Sequence, residues 1–123
     1  MKKVGSLQKN IITKLNLNFD ENSEIFLGDS NINHMKESHP EDFLKYGDYL
    51  EEILATPDYV GKNPKDQSIE YVKIFLINEQ EYVKVAVRVS KSNKLFARSL
   101  YVLNNKRVEN FIEKGTLIKV EIK

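Results

Sequence analysis

Tyr82-Val83-Lys84-Val85-Ala86-Val87-Arg88-Val89-Ser90 places valine at every odd position from 83 to 89 and polar or small residues at the even ones. Side chains alternate across a strand, so this stretch reads as a β-strand with one greasy face. The other face carries Tyr82, Lys84, Ala86, Arg88 and Ser90. The flanking segments Ser68–Ile77 and Lys94–Leu103 also read as strands, joined to it by loops at Asn78–Glu81 and Lys91–Asn93 that are short enough for hairpins. Register follows loop length, and a slip of one residue sends every side chain to the opposite face. A four-residue or two-residue first loop sets Val72, Ile74 and Leu76 beside the valines, and Tyr71, Lys73 and Phe75 beside Lys84 and Arg88. A two-residue turn at Ser92-Asn93 adds Phe96, Leu100 and Val102 to the core face and Ala97, Ser99 and Tyr101 to the polar one. Arg98 then falls among the valines, which demands a sheet margin, a carboxylate partner or a bulge.

Outward from this centre, Ile12, Leu15, Leu17 and Phe19, then Ile25 and Leu27, predict one or two short strands around a turn at Asp20–Ser23. Asp29 or Ser30 is placed to cap a short helix over Asn31–Ser38. Pro40 suits the first turn of a second helix, whose stripe Phe43, Tyr46, Leu50, Ile53 and Leu54 runs to Thr56-Pro57. Asp58–Gly61 is a short extended piece and Lys62–Gln67 a loop. Arg107–Glu113 predicts a helix ended by Gly115, and Thr116, Ile118, Val120 and Ile122 alternate as a last strand. The expected class is α+β, with N-terminal helices packed on a twisted antiparallel sheet of about four strands. Residues 1–123 are expected to form a single domain, its core spanning about 25–118 and residues 1–24 extending it as short strands.

A chain of 123 residues suffices for a core without staples, and 41% hydrophobic with 30% charged residues is the composition of a folded soluble protein. The absence of cysteine excludes disulfides, thiolate zinc sites and a cysteine nucleophile. No apolar run approaches the roughly 18–20 residues that span a bilayer, and the Met1-Lys2-Lys3 start leads into no secretory h-region. A cytoplasmic protein without membrane association is therefore expected. The formal net charge of +1 hides an asymmetry. Residues 1–60 carry 6 Lys/Arg against 11 Asp/Glu, and residues 61–123 carry 13 against 7. The sheet-forming half can thus present a positive field to an anion, although two surfaces that attract each other within the monomer would look the same.

The polar face then reads Tyr71, Lys73, Lys84, Arg88, Ser90, Ser99 and Tyr101, with Glu109 as its one candidate carboxylate. An ordinary solvated sheet face is the plain alternative, but such faces usually interleave both signs. Arginine forks and hydroxyls suit phosphate oxygens, and a tyrosine face suits a base. Only two histidines exist, His34 and His39. Their five-residue spacing and the lack of a third ligand argue against zinc, which leaves either a packing role or a general acid or base. Neither metal nor cofactor is expected.

Several strings resemble one family when taken in order: His34-Met-Lys-Glu-Ser-His39-Pro40-Glu-Asp-Phe43, then Tyr46, Ile53-Leu54, Pro57-Asp58-Tyr59-Val60 and Asn63-Pro64. Ile69-Glu70, Val85-Ala86-Val87-Arg88-Val89-Ser90, Ala97-Arg98-Ser99-Leu100-Tyr101 and Gly115-Thr116-Leu117 continue the match. Together they resemble phage- and mobile-element-associated domains of the barnase–EndoU–colicin–RelE-like nuclease superfamily. The resemblance implies metal-independent cleavage of RNA, tRNA among the candidates, by attack of the 2′-hydroxyl on its own phosphate, in a toxin or phage effector. It implies that His34 or His39 takes the 2′-OH proton. Arg88, with Lys73 or Lys84, would stabilise the phosphorane, and Arg98 is the alternative functional arginine. Ser90, Ser99 and Thr116 would hold phosphate oxygens, and Tyr71 or Tyr101 would stack a base. RNA is then the expected partner, alongside a protein partner or inhibitor. Two other readings fit the residues. One is a catalytically inactive interaction protein that binds a host protein or nucleic acid through the basic face; the other is an ADP-ribosyltransferase, which would need Glu109 as its catalytic carboxylate.

Overall fold

The computed structural model describes residues 1–121. The chain opens with β1 (Lys2–Ser6), α1 (Lys9–Leu15), β2 (Glu24–Leu27), α2 (Asp29–Ser38), α3 (Pro40–Tyr46) and α4 (Leu50–Ala55). It continues with β3 (Tyr59–Lys62), β4 (Ile69–Leu76), β5 (Gln80–Val89), β6 (Leu95–Leu103), α5 (Asn105–Glu113) and β7 (Leu117–Lys119). All the strands join one seven-stranded sheet in the order β1-β2-β6-β5-β4-β3-β7. The pair β2–β6 is parallel and the others are antiparallel. The α+β class holds, but the expected four-stranded sheet behind N-terminal helices does not. The chain begins in the sheet, and β1, β2 and β7 extend it at its two margins. Ile122, which the alternation assigned to the last strand, lies outside the described residues.

Residues 9–15 are helical where strands were expected. Ile11 and Leu15 are four apart and both buried, so a helix serves the same apolar residues that an imperfect alternation suggested. The helix expected from Pro40 to Thr56 is broken by a 3₁₀ turn at Gly47–Tyr49. There the Phe43 ring packs so closely that a Cβ on Gly47 would stand 3.2 Å from it. The cap of α2 is Gly28, not Asp29 or Ser30; its N–H donates to the Asn31 side chain at 2.9 Å. Among the described residues, no helix is long and apolar enough to cross a membrane.

The valine face was assigned correctly for three of its four valines: Val83, Val85 and Val87 are fully buried with Leu100, Ile53, Leu54 and Ile11, while Val89 at the strand's end is exposed. The register of β4 is the inverse of the expectation. Leu76 pairs with Gln80, leaving a three-residue loop at 77–79, so odd positions meet odd positions. Ile69, Tyr71, Lys73 and Phe75 therefore join the valines, while Glu70, Val72 and Ile74 lie beside Lys84 and Tyr82. Leu76 at the strand's end is left 75% exposed, but the inversion still buries Val72 because the polar face has a second small core of its own. Val72 and Leu103 pack there under Val108 of α5 and Leu117 of β7.

The second hairpin closes between Val89 and Leu95 around five residues instead of two, which alone would shift β6 by one. A bulge at Arg98 shifts it back, since Ala86 pairs with Ser99 while Val87 pairs with Ala97. Ser99, Leu100, Tyr101 and Val102 thus face as predicted, whereas Phe96 and Ala97 exchange faces. Ala97 is fully buried and Phe96 lies beside Arg88. Of the three options for Arg98, the bulge is the one realised. As the extra residue it escapes the valine face and is exposed.

The sheet edge decides where the histidines go. Strand β2 pairs with only Leu95 and Phe96, so the rest of β6 has no strand on that side. α2 and α3 cover it, and Asp42 of α3 accepts a hydrogen bond from the Val102 N–H at 3.0 Å. Met35 drops into the first core, while its neighbour His34, about 100° further round the helix, stays outside it. The helix pair therefore turns around the edge and brings histidine to the polar face.

Candidate active site

The polar face holds a cavity of about 180 Å³ lined by His34, Asn63, Asp66, Ser68, Glu70, Lys84, Ala86, Arg88, Arg98, Ser99 and Tyr101. Strands β4, β5 and β6 supply the floor through alternation, with Arg98 added by the bulge. Helix α2 supplies His34 on one side and the β3–β4 connection supplies Asn63, Asp66 and Ser68 on the other. A larger cavity of about 360 Å³ adjoins it under α5 and shares Asn63, Glu70, Lys84 and Tyr101 with it. A third, of about 260 Å³, shares Arg88 and Arg98 and reaches Gly28 and Ser30 at the start of α2. The three form one groove along the face.

Its electrostatics are set by which cations already have partners. Lys84 Nζ lies 2.8 Å from Glu70 Oε2, and both side chains are nearly buried. Burial by itself would lower the Lys84 pKa, but the Glu70 carboxylate and then the Tyr101 hydroxyl outweigh it and the pKa is raised. Lys84 also sits over the Tyr101 ring, 4.7 Å from its centre, and His39 stacks on that ring at 4.5 Å. Asp66 accepts from the Ser68 N–H at 3.0 Å, which holds its carboxyl below the usual range, with smaller help from Arg88 and Lys84. Arg88 and Arg98 make no salt bridge among the described residues. They are the two fixed positive charges that the small cavity offers to an anion.

The predicted residues divide. His34, Arg88, Arg98, Ser99, Lys84 and Tyr101 come together in one cavity. His39 reaches the same face but spends its ring on Tyr101. Ser90 lies in the hairpin turn, 2.9 Å from the Ser92 hydroxyl and accepting from the Lys94 N–H; it lines only the third cavity. Thr116 lines the larger cavity, away from the arginines. Two assignments fail with the β4 register. Tyr71 is fully buried in the first core, where burial pushes its hydroxyl pKa up, and offers no ring for a base. Lys73 donates to the Thr56 carbonyl and hydroxyl at 2.8 and 3.0 Å, holding the end of α4 on the far side of the sheet. Glu109, the carboxylate expected near the face, is exposed and lines none of the three cavities.

Glu70 is the residue the sequence reading missed, and a three-residue loop would have placed it. Arg107, Phe111 and Lys114, which line the larger cavity, were visible as an i, i+4, i+7 stripe on α5. Among the described residues, no three His, Cys, Asp or Glu side chains gather as a metal site. The family model described as phage-Barnase-EndoU-ColicinE5/D-RelE like nuclease3 matches residues 2–110, most of the chain. Comparison with curated proteins and with solved structures finds no match. Every residue that lines the small cavity lies within the matched stretch, and the chain belongs to the phage-associated barnase–EndoU–colicin E5/D–RelE-like nucleases.

Proposed function

We propose that this chain is a metal-independent endoribonuclease that cuts RNA at the small cavity on its sheet face. One observation carries the reading: His34, Arg88, Arg98 and Ser99 line the same cavity of about 180 Å³, although they come from three different elements. A base, two unpaired guanidinium groups and a hydroxyl are the complement needed by a phosphodiester that attacks itself. His34 takes the proton of the 2′-hydroxyl, and the 2′-oxygen bonds to phosphorus. The bond to the 5′-oxygen breaks, leaving a 2′,3′-cyclic phosphate, and that oxygen gains a proton from the open side of the groove. Arg88 and Arg98 hold the non-bridging oxygens as charge builds on them, and Ser99 donates to one of them. Losing one such donor typically costs about 10²–10³ in rate. Lys84 is committed to Glu70 and shapes the floor.

The test is incubation of the purified protein with total tRNA in EDTA, beside His34→Ala, Arg88→Ala and Arg98→Ala. Cleavage with cyclic-phosphate ends, abolished in the variants, is the expected result. RNA or a host protein bound but uncut by the parent would replace the reading with that of an interaction protein. Cleavage that survives all three substitutions would remove these residues from the mechanism.

A further inference from the structure

We infer that the larger cavity under α5 seats a nucleobase of the same RNA strand, next to the cleaved phosphate; this rests on the ribonuclease reading and names where part of its substrate preference lies. Small-molecule sites usually measure roughly 300–1,000 Å³. At about 180 Å³ the small cavity falls short of that range and suits a phosphate group, whereas about 360 Å³ lies within it. The larger cavity is also built differently. Leu103, Phe111 and Leu117 join the shared Tyr101 to give it an apolar and aromatic lining, whereas the arginine cavity has only Tyr101 and Ala86. Its rim carries Lys65, Arg107 and Lys114, all exposed, and its one carboxylate, Glu70, is already paired with Lys84.

An apolar slot edged by cations that make no salt bridge among the described residues suits a base with phosphate beside it. Phe111 packs against the second core yet leaves part of its ring uncovered. Val108 is the residue that α5 buries, while Phe111 turns partly outward with the Arg107 guanidinium 5.7 Å from its ring centre. The ring and the guanidinium present stacking surfaces of the kind that hold bases. Continuity with the reactive cavity through Lys84, Glu70 and Tyr101 lets one strand occupy both.

A nucleobase with an attached phosphate is also what a free mononucleotide offers, so the test has two arms. In the first, kcat/KM is measured for a cleavable dinucleotide and for the same dinucleotide extended by one nucleotide on either side, with each base in turn. The parent should prefer one extension by about tenfold or more, with a base preference. That ratio should fall at least severalfold in Arg107→Ala, in Lys114→Ala and in Phe111→Leu, which keeps apolar packing but removes the ring. Equal rates with and without extension, or a ratio untouched by all three variants, would overturn the inference and leave the cleavage reading standing.

In the second arm the four ribonucleoside monophosphates are titrated against the parent, and amide shifts are followed by NMR. Shifts centred on α5 and Thr116, persisting in His34→Ala, support the base site even if no RNA is cut. Shifts confined to the arginine cavity overturn it. A monophosphate that binds more tightly than the extended oligonucleotide would also overturn it, because the occupant would then be a free nucleotide and not the strand.

Discussion

Glu70→Gln removes one charge from the Lys84–Glu70 pair and leaves its shape almost intact. At 2.8 Å the gross attraction is about 6 kcal/mol for an effective dielectric near 20. Yet the two side chains retain only 12% and 10% exposure, so most of that gain is spent on lost hydration. The variant is harsher than this near-balance suggests, because it leaves the Lys84 ammonium buried without a counter-charge. Truncations of that kind cost about 3–5 kcal/mol. Glutamine still offers Lys84 an oxygen, so a loss of about 2–3 kcal/mol at neutral pH is expected, or roughly 8–12 °C in Tm.

The pH dependence gives a second, sharper signature. In the parent, Glu70 keeps the folded-state pKa of Lys84 above its ordinary value of 10.5. Its contribution is fully present below that value and is lost only as pH rises through the folded pKa. Without Glu70, burial is the largest influence left and lowers the folded pKa instead. The unfolded chain then binds more protons than the folded one just below pH 10.5, so the variant gains stability with rising pH. Urea unfolding at several pH values from about 6 to about 10 should show the gap between parent and variant closing on the alkaline side. A gap under about 1 kcal/mol that stays flat with pH would refute the reasoning, since the pair would then be solvated and the groove floor wet.

The remaining predictions concern residues around this pair. Arg98→Ala should change unfolding free energy by no more than about 0.5 kcal/mol, since Arg98 is exposed, while tRNA cleavage falls about 10²–10³-fold; Arg98→Lys should recover only part of it. Tyr71→Phe should raise stability by about 1 kcal/mol in urea unfolding with cleavage unaltered, because the buried Tyr71 hydroxyl has no hydrogen-bond partner among the described residues. Gly61→Ala should destabilise by about 2–3 kcal/mol, since its Cβ would meet the Thr116 carbonyl and push β7 away from β3; thermal unfolding reads this. The Glu81 carboxyl is held below its ordinary 4.5 by Lys45 and then Tyr46, so its contribution is present above that value and lost as pH falls through the depressed one. Glu81→Gln should therefore be less stable than the parent at neutral pH and converge with it in acid.

The alternating valines were enough to define the main core, although only Val83, Val85 and Val87 enter it, and the helix over Arg107–Glu113 was legible from its stripe and from Gly115. At φ +76, Gly115 ends α5 with the left-handed step that glycine makes freely. What stayed illegible has one physical root, because alternation assigns faces only relative to a loop whose length must be guessed. For β4 the guess was wrong by one residue, which carried Tyr71 and Lys73 to the wrong face and hid Glu70. The composition of β4 could not reveal this. Val72 and Ile74 are as apolar as Tyr71 and Phe75, and the sheet has a core on both faces. The N-terminal strand β1 was legible only as part of an extension of short strands over residues 1–24 and not in its place, since Lys2–Ser6 contains a single buried apolar residue, Val4.

β6 shows why the arginine pair forms despite that uncertainty. Keeping Leu100 opposite Val85 in a regular strand would have held Arg98 against Val87, a charge among the apolar residues of the first core. Desolvating a guanidinium costs far more than one lost ladder position, so the chain yields at the ladder. The extra residue bulges, Ala97 takes the buried place and Arg98 joins Arg88 on the opposite face. Shortening the hairpin by one residue while it keeps a five-residue turn would draw Leu95 into that turn and set Val89 against Phe96, which removes the need for a compensating bulge and drives Arg98 back toward the valines. Deleting Asn93, whose φ of 63 belongs to the present turn, should therefore cost several kcal/mol, or shift the bulge and abolish cleavage while the sheet survives. A deletion variant with full stability and full cleavage would show that the second arginine owes its place to something other than this register.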